Sequence, residues 1–348
     1  MKKCDVKIGI VGGGNIGKVL STMLCSLGYD VELVCRDNHR AIKIDNSYAF
    51  SIKGDFGDKE FLVPYVNSIS NLSSKKDIII FATKSYDMLN RVCECLPKLT
   101  SKGMIVTIQN VYTIDKLFHL IPPEASVCMI CDFASVSYKK VTHVRDSHGV
   151  TLGVYNRKAV NRMKLLARIL SDFMKVHITK DIIGFTMGRN IINGAISLLG
   201  GISGLRLKDI LKSYKGRKLF CKIIEESYNV CRRHRLNVMP YNQQLDYERF
   251  IGKGIKNYFY RHKIIKCLIR NNGHIKSSAL DDLEHGSKTE IRCLIDTIIS
   301  YGHKTNTNIK YLTCLSEILE NIEQGKMTIN KNIFNRISLQ KNVKNLLI

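Results

Sequence analysis

An α/β domain with a parallel-type sheet, followed by an all-helical domain, is the fold class that the order of patterns in this chain predicts. Three observations carry that expectation. A short apolar run, Ile8 to Val11, enters the pattern Gly12-x-Gly14-x-x-Gly17, and Ile16 to Leu27 then carries apolar residues at helical spacing. Further strand-like runs alternate with helical stretches as far as about residue 180. From about residue 181 the strand-like alternation disappears and helical patterns follow one another. Each glycine of the first pattern has its own physical role. Gly12 permits a tight turn, Gly14 lets a pyrophosphate approach the backbone, and Gly17 lets the helix pack on the strand. The first helical turn, with Asn15 and Ile16, offers N–H groups and the positive end of the helix dipole to phosphates. With a strand before it and a helix after it, the pattern reads as the dinucleotide fingerprint of a Rossmann domain and not as a simple Gly-rich turn.

Composition sets bounds. A chain of 348 residues, 45% of them hydrophobic, has room for two globular domains. No stretch approaches the ~20 uninterrupted apolar residues of a membrane span. Met1-Lys2-Lys3 leads into a first strand and not into a signal-peptide core. Reduced thiols in a cytoplasm are therefore expected for the 12 cysteines. Only Cys128 and Cys131 have CxxC spacing; no second pair completes a zinc set, and their strand-like surroundings argue against a redox role. The formal charge of +24 could attract nucleic acid, an anionic surface or small anions. Its cations are scattered, however, and no recognition motif is visible, so nucleic-acid binding through the basic surface stands only as a competing class and not as the expected partner.

In chain order, Val31 to Cys35 forms a second strand closed by Arg36. An Arg at this place accommodates a ribose 2′-phosphate, where an acid would bind the 2′-hydroxyl; Arg36 therefore argues for NADP(H), with Asp37 beside it and a plain surface Arg as the alternative. Residues 44 to 68 suggest short strands and a hairpin. Asp77 to Thr83 is a buried strand followed at once by Lys84, Met88 to Leu99 a helix interrupted by Pro97, and Met104 to Ile108 a core strand ending in Gln109-Asn110. Lys84 and Asn110 thus lie just past the carboxyl ends of strands, where open α/β sheets bind ligands. Val127 to Tyr138 and Val150 to Tyr155 read as late strands, and Ala159 to Met174 as an amphipathic helix. The helical part reads Gly188–Leu199, Leu207–Lys212, Gly216–Arg235, Tyr241–Arg270, Lys288–Tyr301 and Ile309–Ile322, and beyond Met327 comes a basic, Asn-rich tail, a loosely attached helix or partly disordered. The expected organisation is residues 1–180, 181–326 and 327–348.

Two blocks of the second half carry a resemblance. One runs Phe185-Thr-Met-Gly-Arg189-Asn-Ile-Ile-Asn193-Gly; the other is Ser277-Ser278-Ala-Leu280-Asp-Asp282-Leu-Glu-His-Gly286-Ser-Lys-Thr289-Glu290-Ile291. With the glycine loop, Arg36, Lys84 and Asn110, the chain resembles ketopantoate reductase (2-dehydropantoate 2-reductase) from residue 7 to about 320. The resemblance implies NADPH-dependent reduction of a 2-keto acid to a 2-hydroxy acid, as in pantothenate synthesis. It implies that Arg36 meets the 2′-phosphate, that Lys84 and Asn110 line the cofactor and substrate cleft, and that Asn193 and Ser278 hydrogen-bond the substrate. Glu290 would hold the substrate's polar groups and the catalytic cation. The family's catalytic lysine falls on Arg189, a departure. Others are Val111 after Asn110, Arg292 after Ile291, and Ile295-Asp296 for a later Asn-Gly.

The residues themselves are compatible with this and with blander readings. Arg189 and Asn193 are four apart, so on a helix they share a face and can converge on one ligand. An exposed Arg and a capping or core Asn is the alternative. Ser278 and Glu290 belong to two helices joined by a turn, and Ser287 to Glu290 also has the form of a capping box, which would make Glu290 a helix cap. The expected partners are a small 2-keto acid and, as an assembly open to such a chain, a second copy in a homodimer; no membrane is expected. A different class remains in view: an NADP(H)-binding sensor or regulator with degraded catalysis.

Overall fold

In the computed structural model, residues 2–36, 42–108, 120–138, 140–145, 147–241 and 245–339 are described. The chain divides into two compact units, Met1–Ile182 and Ile183–Ile348. In the first unit the apolar run is β1 (Lys7–Val11), which passes through the glycine turn into α1 (Asn15–Ser26) and β2 (Asp30–Val34). There follow β3 (Ile42–Ile44), β4 (Ser47–Gly54), β5 (Lys59–Val66), β6 (Lys76–Phe81), α2 (Ser85–Cys95), β7 (Leu99–Thr107), β8 (Ser126–Cys131), β9 (Ala134–Tyr138), β10 (Val141–Arg145), β11 (Val150–Gly153), α3 (Val160–Leu170) and β12 (Val176–Ile178).

The described strands form one mixed sheet in the order β12-β11-β8-β7-β6-β1-β2-β5-β4-β10-β9, with β3 on β4. Its centre, β8-β7-β6-β1-β2, is parallel throughout, and Ile8 pairs in register with Val31 on one side and Ile78 on the other. Strands buried on both faces read as continuous apolar runs. Ile78, Ile79, Ile80 and Phe81 of β6 accordingly have no exposed surface. One face packs Ile8, Ile10, Ile78 and Ile80 with Leu20 and Leu24 of α1; the other packs Val11, Ile79 and Phe81 with Met88 and Val92 of α2. Antiparallel pairing enters outside that centre, where β11 runs against β8, β4 against β5 and β9 against β10, while β12 on β11 and β10 on β4 are parallel; the β4–β5 hairpin joins β2 in parallel through Leu33–Tyr65 and Val34–Val66.

The second unit is helical among its described residues: α4 (Ile182–Ser203), α5 (Leu207–Lys212), α6 (Tyr214–Arg233), α7 (Tyr247–Ile251), α8 (Ile255–Asn272), α9 (Ser278–Glu284), α10 (Ile291–Lys304), α11 (Lys310–Glu323) and α12 (Ile333–Leu339). The helix α4 is its core, with Ile191, Ile192, Ala195, Leu198, Leu199 and Ile202 buried. Among the described residues it is the one helix long and apolar enough to cross a membrane, and 78% of that apolar window is buried inside the protein.

Several boundaries differ from the sequence expectation for local physical reasons. The run Val127 to Tyr138 is two strands, because Asp132 turns the chain and donates its N–H to Gly149. The helix expected from Tyr241 to Arg270 is broken at Gly252-Lys253-Gly254, where Gly254 has φ +92°, a left-handed value that suits glycine. The helix expected after Met327 is present as α12, but it is not loosely attached, since its Ile333, Phe334 and Ile337 are buried. Strands β10 and β12 have no clear signal in the sequence because each is short, five and three residues, and polar at alternate or flanking positions.

Candidate active site

The glycine loop is built by steric exclusion. Gly12 has φ +119°, and a β-carbon there would lie 2.7 Å from the Ala82 carbonyl carbon and oxygen. A β-carbon at Gly17 would lie 1.9 Å from the carbonyl oxygen of Gly12, so the helix can approach the turn only at a glycine. Gly14 differs from both: nothing lies within 4 Å of the place a β-carbon would take. It precedes α1, and no side chain caps the helix there. The uncapped N–H groups and the open space together fit a diphosphate lying against the backbone. The side chain of Asn15 has another employment. Its amide donates to the Ser135 carbonyl (3.0 Å) and its oxygen accepts from the Ser137 hydroxyl (2.6 Å), tying α1 to β9; Ile16 is partly buried in the core beneath.

Adjacent parallel strands bring the other cofactor candidates to the same edge. Gly12 donates to the Val34 carbonyl (2.9 Å), and Ala82 donates to the Val11 carbonyl (2.7 Å). A β-carbon at Gly13 would lie 2.7 Å from that of Cys35, so the loop rests on the residue before Arg36. Arg36 itself is exposed beyond β2. Lys84 is half-buried two residues beyond Ala82, and its carbonyl accepts the first N–H groups of α2, from Asp87 (3.1 Å) and Met88 (3.3 Å). Asn110, with Asp37 and Val111, lies outside the described residues. Cys128 is buried beside Thr107 and Tyr155, and burial pushes its thiol up to about 11, the reverse of an activated thiolate.

In the helical unit, α4 carries a polar line through an apolar helix. Thr186, Asn190, Asn193 and Ser197 recur at four, three and four residues, which places them along one face. Arg189 and Asn193 are half-buried one turn apart. The backbone that carries Arg189 is held tightly: Tyr247 donates its hydroxyl to the Gly188 carbonyl, and a β-carbon at Gly188 would lie 2.0 Å from the Met239 carbonyl oxygen. Asn190 is 1% exposed, and among the described residues neither atom of its amide finds a hydrogen-bond partner. An orphaned buried amide costs about 1–3 kcal/mol unless water or a ligand completes it.

Ser278 is drawn to this line. Its hydroxyl stands 3.3 Å from that of Ser197, 81 residues away, while Ser277 is the buried cap of α9, accepting from the Leu280 N–H at 3.2 Å. Ser197 and Asn190 are invisible to sequence reasoning because each sits in an apolar helical run with no signal of its own. Glu290 is half-buried, immediately before α10, and makes no side-chain cap to that helix. The capping box is therefore absent: the helix begins at Ile291, too late for Ser287 to cap it. What fixes this segment instead is Glu323. It accepts from the Thr289 N–H (2.8 Å), from the Thr289 hydroxyl (2.5 Å) and from Arg292 (3.3 Å). Arg292 also pairs with Glu320 and Asp296, so the two departures at 292 and 296 form one ionic cluster.

Comparison with known proteins gives the family. The family described as ketopantoate reductase PanE/ApbA matches residues 8–157, and its C-terminal domain matches residues 181–323. The chain belongs to the ketopantoate reductase family. A 2-dehydropantoate 2-reductase of Pyrococcus abyssi is 22% identical over 308 residues, covering 86% of this chain and 92% of that one. The uncharacterized oxidoreductase YkpB of Bacillus subtilis is 24% identical over 293 residues, covering 82% and 88%. Among solved structures, the family's reductase from Ralstonia eutropha JMP134 superposes with a TM-score of 0.74 at 19% identity, covering 92% of this chain and 99% of that one. A D-mandelate dehydrogenase in complex with NADH and anilino(oxo)acetate superposes at 0.76 with 17% identity and the same coverage.

Proposed function

We propose that this ketopantoate reductase family member reduces ketopantoate, or a close 2-keto acid, to the 2-hydroxy acid with NADPH. The observation that carries the reading is the half-buried Arg189–Asn193 pair, one turn apart on α4, beside the Ser197–Ser278 contact. When bound, the nicotinamide cofactor supplies the hydride. The open backbone at Gly14 and the N–H groups of Asn15 and Ile16 would receive its diphosphate, with Gly12 and Gly17 shaping the turn. Arg36 would meet a 2′-phosphate, with Lys84 and Asn110 nearer the nicotinamide. Asn193 and Ser278 would orient the keto acid, and Glu290 would hold its polar groups and the Arg189 cation. A guanidinium aimed at the ketone oxygen stabilises the alkoxide as it develops. Arginine stays protonated at any working pH, so it clamps that oxygen without delivering the proton, which then comes from water or a hydroxyl.

The decisive assay is oxidation of NADPH and of NADH by purified protein over a panel of 2-keto acids that includes ketopantoate. A charge-assisted hydrogen bond is worth about 1.5–3 kcal/mol, so NADPH should bind roughly ten- to a hundred-fold better and Arg36→Ala should erase the difference. General acid catalysis is worth about 10²–10⁴-fold, so Arg189→Lys should raise kcat and add an acid-form dependence near neutral pH. A second reading has one observation in its favour, Arg189 itself: an NADP(H)-binding sensor whose catalysis has decayed. NADPH binding with no substrate-dependent oxidation, in wild type and in Arg189→Lys alike, would establish that reading and remove the first.

A further inference from the structure

The helical unit gathers cations that are scattered in the sequence. The helix α8 holds Lys256, Arg261, Lys263, Lys266 and Arg270, with His262 and no Asp or Glu. Large rings stand exposed among them: Tyr258 is 56% and Phe259 63% exposed, and Tyr214, at the start of α6, is 70% exposed. Tyr258 already stacks with His262 (5.8 Å between ring centres) and meets Phe259 edge to face (5.7 Å), so these rings form one aromatic cluster. Between α6 and α8 lies a cavity of about 330 Å³, whose lining includes Tyr214, Lys218, Lys222, Tyr258 and His262. Its one lining carboxylate, Glu225, is taken by Lys222 at 2.6 Å. A second, more open hollow of about 800 Å³ along α8 shares His262 and adds Phe259, Lys263, Lys266 and Arg270. Among the described residues, Lys218, Lys263 and Lys266 have no carboxylate partner.

We propose that this face binds single-stranded nucleic acid, its phosphates on the α8 and α6 cations and its bases stacked on Tyr258, Phe259 and Tyr214. Interleaved cations and open aromatic faces are what an unpaired strand requires, because every base offers a π-face and every nucleotide a charge. The arrangement is unlike that of a helix lying in a membrane surface, which separates its apolar face from its cationic one. On α8 the positions 256, 259, 263, 266 and 270 form one stripe, so Phe259 stands among the cations, while Ile264, Ile265 and Leu268 face inward. A second copy of the same face would set like charges against each other. The excess of +24 on the whole chain favours a polyanion further.

The experiment is fluorescence anisotropy of the full chain with a labelled mixed-sequence single strand of about 20 nucleotides, longer than the ~4–16 that one such groove holds. Vesicles containing phosphatidylserine form a parallel arm. Expected is binding tighter than about 100 µM near physiological salt, with log K falling against log salt at a slope of about −2 to −3 for three or four neutralised phosphates. Tyr258→Ala and Phe259→Ala should each weaken binding about five- to a hundred-fold and leave the slope unchanged. Lys218→Ala combined with Lys263→Ala should flatten the slope by about 1.4. All four side chains are exposed, and unchanged circular dichroism verifies that the variants fold. Absence of oligonucleotide binding, binding indifferent to the ring substitutions, or capture by vesicles alone would overturn the proposal, whatever the outcome of the reductase assay.

Discussion

The glycine loop lies within six residues of chain, whereas the polar groups about Arg189 meet Ser278 through a contact that spans 81 residues. In the first, each residue's role follows from its neighbours along the backbone: a left-handed turn, an open position, a close helix approach. In the second, the roles come from helices meeting side by side, and no local pattern announces them. A further contrast lies in how each unit buries charge. In the N-terminal unit Lys76 is fully buried and paired with Glu32, whose carboxyl burial alone would raise; the Lys76 ammonium and the Ser73 donors outweigh burial and hold it below the usual value. In the helical unit Glu226 is buried and accepts from the N–H groups of Tyr311 (3.0 Å) and Leu312 (2.8 Å); Lys222, which pairs with Glu225, does not offset burial, which raises the Glu226 carboxyl to about 7. A cation in direct contact decides the sign.

The largest effect should come from breaking the pair. Removing one member of a buried ion pair strands the other and costs about 3–5 kcal/mol, whereas replacing both by apolar residues is often neutral. Lys76→Met should therefore lower unfolding stability in urea by about that amount, and Lys76→Met with Glu32→Leu should recover most of it. Equal losses in the single and double variants would mean that packing of the lysine stem against Gly9, 3.4 Å from the place of a β-carbon there, matters more than its charge.

Next comes the pH response, of opposite sign in the two units. Glu32 has a depressed carboxyl, so its contribution is present above its ordinary pKa and is lost as pH falls through the folded value. Glu226 is raised from 4.5 to about 7, so its contribution is present below 4.5 and is lost as pH rises through about 7. Over that window the helical unit should lose about 3 kcal/mol. Amide exchange should report it: protection in α11 falling from pH 5 to 8 while β2 holds, and Glu226→Gln removing the fall in α11. Unchanged protection in wild-type α11 would show that the two N–H donors keep the carboxylate ionised.

These contrasts also explain what could be read from the sequence. The parallel centre was legible because Ile8–Val11 of β1 and Ile78–Phe81 of β6 carry no polar side chain, and the strand ends that precede Gly12, Arg36 and Lys84 were legible for the same reason. That Arg189 and Asn193 share a helix one turn apart was legible from their spacing alone. Ser197, Asn190 and Glu323 were not, since what gives them a role is a neighbour on another helix or, for Asn190, the lack of one. The run from Tyr241 to Arg270 kept helical apolar spacing across Gly252 and Gly254, and only the backbone break shows why α8 stands as a separate cationic helix.

A third substitution probes the proposed substrate site in the helical unit. Glu323 touches Thr289 and Arg292, and on the proposed reading it positions Glu290 between them. Hydrogen bonds to a charged group are worth about 1.5–3 kcal/mol, so Glu323→Ala should cost about 2 kcal/mol of stability. It should also lower kcat/KM for the keto acid while the Kd for NADPH stays fixed. Glu323→Gln, which keeps one acceptor, should restore part of kcat/KM. Loss of NADPH affinity in step with kcat/KM would mark the effect as general unfolding.

The smallest expected effect on stability is the sharpest test of the loop. Gly14 has φ −72°, which any residue adopts, and a β-carbon there meets nothing within 4 Å. Gly14→Ala should consequently change unfolding stability by no more than about 0.5 kcal/mol, the usual range for an open site. The space it fills is the space a diphosphate needs against the backbone, so affinity for NADPH should fall at least about ten-fold, or 1.4 kcal/mol. Gly17→Ala is the companion variant. Its β-carbon would sit 1.9 Å from the Gly12 carbonyl oxygen, a clash that forces α1 away from the turn and costs about 1–3 kcal/mol or more. The two glycines of one motif should thus separate, one a binding position and one a packing position. If Gly14→Ala binds NADPH as wild type does, the open space belongs to solvent and the cofactor's phosphates lie elsewhere.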